Sequence, residues 1–110
     1  MIIVIIQRDE QKSVTGFKIE GHANYAEAGR DIVCAGVSAV TVGTVNAVEE
    51  LTGIEMIAHM KHGFLSAELP VECPPDECKK AELLLSSLVV MLRTIEDSYG
   101  QYIKIQEQNF

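Results

Sequence analysis

The stretch Asp31-Ile-Val-Cys34-Ala-Gly-Val-Ser38-Ala-Val-Thr-Val-Gly-Thr44-Val-Asn-Ala-Val48-Glu-Glu-Leu51 decides the fold. Valine individually prefers strands, but about twenty residues without a turn signal are too long for one buried strand. Val33, Val37, Val40, Thr44, Ala47 or Val48, and Leu51 recur at spacings of three and four, which predicts a helix from near 31 to 51 that ends at Gly53.

On the N-terminal side, residues 1–8 form a β-branched run closed by the polar turn Asp9-Glu10-Gln11-Lys12, and Val14, Phe17 and Ile19 follow among polar residues. That pattern predicts a hairpin. On the C-terminal side, Ile54 to Met60 and Phe64 to Leu69 flank Lys61-His62-Gly63 as a second hairpin, which the prolines between Pro70 and Asp76 bring to an end. A second helix over about 77–98 carries Leu83, Leu84, Leu85, Leu88, Val89, Val90, Met91, Leu92 and Ile95, apolar nearly all round. Gly100 stops it, and Tyr102, Ile103 and Ile105 make a last strand before a polar tail. The order ββαββαβ implies a two-layer α+β domain: a mixed or mostly antiparallel sheet with two long helices. A helix apolar on all sides in so small a domain needs cover on its outer face; a second subunit is one way to supply it, so a homodimer is expected, the alternative being that the sheet and the first helix already enclose the second helix.

With 110 residues, 47% hydrophobic and 23% charged, the chain reads as one domain over 1–110. At this size folding buries something over ~60% of the unfolded surface, enough for one core. The net charge of −7, with no basic cluster, disfavours nucleic acid and anionic membranes and favours a basic partner. No membrane span or targeting segment is expected, because the apolar run at the N-terminus has no basic flank and stops at Gln7-Arg8. Cys34, Cys73 and Cys78 are odd in number and follow no secretory segment, so a disulfide framework is not expected, and the predicted compartment is the cytoplasm.

Residues 21–38 do not read as scaffold. Between a strand end at His22 and a helix start at Asp31 lies a connection rich in small and polar residues, without the period of either neighbour. Asp31 fits the N-cap, which puts Cys34 in the first helical turn, where backbone amides point outward and thiolate is favoured. The same amides, around Val33 to Ala35, offer an oxyanion site. Eleven residues lie between His22 and Cys34, and at ~3.3 Å per residue they let the loop bring the helix start back to the strand end. His22 would then take the thiol proton and return it to a leaving amine. Ser38, one turn after Cys34, faces the same way. The bland readings stand beside these: a cysteine in a valine-rich helix is a small apolar filler, His22 a solvated turn residue, Asp31 a cap and Ser38 a small core hydroxyl.

The string Gly21-His22-Ala23, the loop Tyr25-Ala26-Glu27-x-Gly29-x-Asp31, and Ile32-Val33-Cys34-Ala35-Gly36-Val37-Ser38 together resemble the ribosomal-processing cysteine protease Prp family. The resemblance runs over the whole chain, though only 21–38 is specific, and nothing in that motif departs from the family pattern. It implies a small cytoplasmic bacterial protease, usually a homodimer, that removes a short N-terminal extension from one large-subunit ribosomal protein. By the same resemblance His22 is the catalytic histidine, Cys34 the nucleophile, Asp31 and Ser38 accessory positions, and Gly21 the glycine before the histidine. The resemblance also implies that the loop 23–30 orders over substrate. Within it Tyr25 is either a substrate contact or a loop anchor, and Gly29 either a hinge or a plain turn glycine.

No cofactor is called for. His59, His62, Cys73 and Cys78 do not have standard zinc spacing, and Pro74 and Pro75 interrupt the cysteine pair, so no metal is expected. The rival classes are a noncatalytic peptide-binding or ribosome-assembly module in which Cys34 only packs, and a redox-sensing thiol.

Overall fold

Strand β1 (Ile2–Arg8) lies inside the sheet with a partner on each side. Its β-branched residues alternate between faces, Ile2, Val4 and Ile6 being buried while Ile3 and Ile5 lie half-exposed opposite Glu20 and Lys18. Strand β2 (Val14–Glu20) returns antiparallel, pairing Ile6 with Phe17 and Val4 with Ile19, after a turn in which Asp9 Oδ1 accepts the N–H groups of Gln11 and Ser13. Helix α1 (Ile32–Thr52), strands β3 (Ile57–Lys61) and β4 (Phe64–Glu68), helix α2 (Pro75–Tyr99) and strand β5 (Ile103–Asn109) complete the order ββαββαβ. The computed structural model describes residues 1–109.

The five strands lie in the order β3-β4-β2-β1-β5. All neighbours are antiparallel except β1 and β5, which run parallel with Val4 opposite Ile105. The sheet is therefore mixed, as expected for this α+β domain. Ile2, Val4, Ile6, Phe17, Ile19, Leu65, Ala67 and Ile103 form its inner face, and Val33, Val37 and Val48 of α1 with Ala81, Leu85, Leu88, Val89 and Leu92 of α2 pack into the same core. The start of α1 meets the end of α2, where a Cβ at Gly36 would stand 3.8 Å from Ile95 Cδ1. By length and hydropathy alone α1 would pass for a membrane span. Here one stripe of it lies in the core, and the buried Thr41 and Thr44 return their hydroxyls to the carbonyls of Val37 and Val40 at 2.7 and 2.6 Å.

Four expectations are corrected. The inward stripe of α1 is Val33, Val37, Thr41, Thr44 and Val48, so Val40 lies half-buried and Leu51 is 68% exposed at the fraying end. Helix α2 is not enclosed by the sheet and α1: Leu83 and Val90 are 71% and 66% exposed, on a face that no described element covers. The supposed polar tail continues β5 to Asn109, because β1 offers a parallel partner as far as Arg8 and the Arg8 guanidinium binds Glu107 Oε1 at 2.8 Å. That hydrogen bond holds the Glu107 carboxyl below its ordinary value, outweighing partial desolvation. Cys73 and Cys78, expected to be unpaired, form a disulfide with Cα atoms 5.8 Å apart, since the proline-rich approach to α2 folds Cys73 back onto its first turn. Cys34 is the free thiol.

Leu85 is fully buried between the layers. Leu85→Ala is expected to lower the unfolding free energy by about 2–5 kcal/mol in urea denaturation.

Candidate active site

Helix α1 begins where a polar side chain can satisfy its orphan amides. Asp31 is the N-cap, and its Oδ1 accepts N–H bonds from Val33 and Cys34, both at 3.0 Å. Its other oxygen reaches out of the helix: Oδ2 accepts from Tyr25 N–H at 2.9 Å and Ala26 N–H at 3.4 Å, tying the preceding loop to the same carboxylate. Partial desolvation raises the Asp31 pKa, but the hydrogen bonds from the Cys34, Tyr25 and Ala26 amides and from the Cys34 side chain outweigh it and hold the carboxyl below its ordinary value. Asp31 thus serves the cap and the loop.

This arrangement overturns one expectation. The amides of Val33 and Cys34 are engaged by the cap, and Ala35 N–H donates to Asp31 O at 3.0 Å, so the first turn does not present them as free oxyanion donors.

The glycine before His22 is required by close approach. Gly21 has φ +91°, and a Cβ there would collide with the Met1 carbonyl oxygen. From this turn the chain places Ala23 N–H 3.3 Å from Cys34 Sγ, so the hydrogen bond the sulfur receives comes from backbone. His22 is exposed and Cys34 half-buried. Both line a pocket of ≈ 630 Å³ with Asp31, Ser38, Gly29 and Arg30. A second hollow of ≈ 300 Å³ meets the first at His22, Cys34, Ser38 and His62, and continues between α1 and the sheet past Val37, Val42, Met60 and Leu65. The two form one trough with the thiol at its middle.

Of the residues singled out from the sequence, His22, Asp31, Cys34, Ser38 and Gly29 come together here. Tyr25 does not line the trough; its ring meets Tyr99 and Tyr102 edge-on, centroids 5.7 and 5.1 Å away, and anchors the loop. His62 was read as a turn residue, yet its ring lies 4.8 Å from that of His22. The signal that would have found it is the β2–β4 pairing, which is not local in sequence. Among the described residues no group of three His, Cys, Asp or Glu side chains could hold a metal.

The profile of the family described as Cysteine protease Prp matches residues 1–104. The Ribosomal processing cysteine protease Prp of Bacillus subtilis (strain 168) is 40% identical over 107 residues, 96% of each chain. The protein of that name from Staphylococcus aureus (strain NCTC 8325 / PS 47) is 39% identical over 106 residues, 96% of this chain and 97% of the relative. The crystal structure of the Staphylococcus aureus ribosomal processing protease Prp with a covalently linked product peptide superposes with a TM-score of 0.88 at 36% identity, covering 98% of this chain and 100% of that one. A second structure of that protease, with a substrate peptide, gives a TM-score of 0.83 at 33% identity, covering 98% and 100%.

With a free thiol at a helix start and a histidine in the same trough, the fold is that of a cysteine protease, which displaces the noncatalytic reading. The chain belongs to the Prp family.

The lowered Asp31 pKa gives a signed expectation. A carboxyl held below its unfolded value of ~3.9 contributes stability that is complete above that value and is lost as pH falls through the lowered folded one. Asp31→Asn, which keeps one acceptor oxygen and loses the charge, is expected to preserve the helix start and speed amide exchange at Tyr25 and Ala26, measured by NMR.

Proposed function

We infer that this chain is an endopeptidase that uses a His22–Cys34 dyad to remove the short N-terminal extension of a large-subunit ribosomal protein during ribosome assembly. The observation that carries the reading is that the free thiol and the imidazole occupy the middle of one open trough, with hollows on either side for the peptide flanking the cut bond. Relatives named as ribosomal processing proteases, one of them crystallised with substrate and product peptides, support the substrate class.

The imidazole of His22 takes the Cys34 thiol proton, and the thiolate attacks the scissile carbonyl carbon. The tetrahedral adduct collapses, the C–N bond breaks, and the leaving amine takes the proton from the imidazolium. Water, deprotonated by His22, then hydrolyses the thioester, and the proton returns to sulfur. No metal or cofactor enters these steps. Ser38, at the junction of the two hollows, orients the groups around the thiol, and Asp31 fixes the helix start and the loop that borders the site. Gly21 supports the histidine by close packing, and Gly29, with φ +85° and open space around it, lets the loop shift as substrate enters.

The charge of −7 suits a basic ribosomal-protein segment and not nucleic acid or an anionic membrane, and the assembly of ribosomes places the reaction in the cytoplasm. The exposed Leu83 and Val90 on α2 fit a homodimer.

Incubation with the extended ribosomal protein is expected to release the N-terminal peptide, read by mass spectrometry, and Cys34→Ala or His22→Ala to abolish release; intact substrate with the parent protein overturns the reading. Light scattering is expected to give a dimer of the 12.1 kDa chain, and Leu83→Glu a monomer.

A further inference from the structure

The tip of the second hairpin, Lys61-His62-Gly63, arrives at the site from the far edge of the sheet. Glu20 at the end of β2 pairs with Phe64 at the start of β4, so the residues just beyond them meet, and Gly21 N–H donates to Gly63 O at 2.9 Å. Gly63 then lies flush against the imidazole of His22. A Cβ at Gly63 would stand 2.8 Å from His22 Nε2, 3.2 Å from Cε1 and 3.5 Å from Cδ2. The ring of His62 lies beside that of His22, 4.8 Å between centroids and tilted by 43°.

We propose that this hairpin tip is a positioning element for His22: Gly63 leaves the space its Nε2 edge occupies, and the His62 ring keeps the imidazole from turning out to solvent. The proposal rests on the reading of His22 as the base for Cys34. A general base acts only within hydrogen-bond reach of its proton, and an exposed histidine at a strand end has other rotamers open to it. Two neighbours that narrow those rotamers raise the fraction of time the base is aimed at the thiol. The titratable and charged groups around His22 are Asp31, Cys34 and Arg30 from the loop and α1, and Lys61 and His62 from the hairpin.

The test follows iodoacetamide alkylation of Cys34 by peptide mass spectrometry across pH, which needs no protein substrate. Gly63→Ala places a methyl against the ring. Gly53→Ala is its control, because Gly53 has a similar left-handed φ of +76° against +71° at Gly63, with nothing near its Cβ position. Since a positioned base is worth roughly 10²–10⁴-fold, Gly63→Ala is expected to slow alkylation near neutral pH by about tenfold or more, while Gly53→Ala does not. The deficit is expected to vanish above the thiol's own pKa, where thiolate forms unaided, which a misfolded site would not show. His62→Ala, free of backbone strain, is expected to slow alkylation several-fold, with His62→Phe recovering most of the loss; it carries the test if Gly63→Ala does not fold. Cleavage by the hairpin variants is expected to lose kcat with little change in KM. Parent-like alkylation by His62→Ala, or equal rates for the two glycine variants, overturns the proposal while the dyad stands if His22→Ala is slow. Parent-like alkylation by His22→Ala overturns the dyad and the proposal with it.

Discussion

The carboxylate of Asp31 accepts four backbone N–H bonds, two from the first turn of α1 and two from the loop before it. The site depends on that one group. Without it the helix start that presents Cys34 loses its cap, and the segment of Tyr25 and Ala26 loses its tie to the helix. A second tie, the edge-on packing of Tyr25 on Tyr99 and Tyr102, fixes the same loop to the end of α2 and the approach to β5. Loop, Cys34 and core are thereby one mechanical unit.

The free thiol and the imidazole that line the trough come from two parts of the fold that meet only in three dimensions. Cys34 arrives on a helix, and His22 on the turn that follows β2. The turn can be tight because Gly21 fits beneath the Met1 carbonyl, and it can be supported because β4, not β3, lies beside β2. The hairpin of β3 and β4 thus presents its tip to the histidine and its inner face to the trough.

Much of this was legible in the residues. The order of elements followed from the period of the apolar positions, and Asp31 as cap from its place before a helical run. His22, Asp31, Cys34, Ser38 and Gly29 all stand out in the segment 21–38 by residue type and spacing alone. What could not be read was whatever depends on pairing at a distance. The neighbour of β2 is set by the whole sheet, so His62 and Gly63 looked like an ordinary hairpin turn. The length of β5 depends on an open edge of β1 and on the Arg8–Glu107 pair, not on the polarity of residues 106–109. Tyr25 faces aromatic partners that lie far along the chain. The first-turn amides were expected to be open because helical position alone does not reveal that the capping carboxylate uses them.

The parallel pairing of β1 with β5 has a consequence for synthesis. Strand β1 lies inside the sheet, and one of its two partners is β5, which every other element precedes in the order ββαββαβ. Such a contact closes slowly, and during translation it cannot close at all until the C-terminal strand has left the ribosome. Ile2, Val4 and Ile6 therefore wait for Ile103 and Ile105 to arrive. The first residue's carbonyl, against which Gly21 must fit, is fixed by that same closure through the Ile2 N–H bond to Tyr102 O. A nascent chain already carrying Cys34 and His22 therefore lacks this support beneath Gly21 until β5 has emerged and paired.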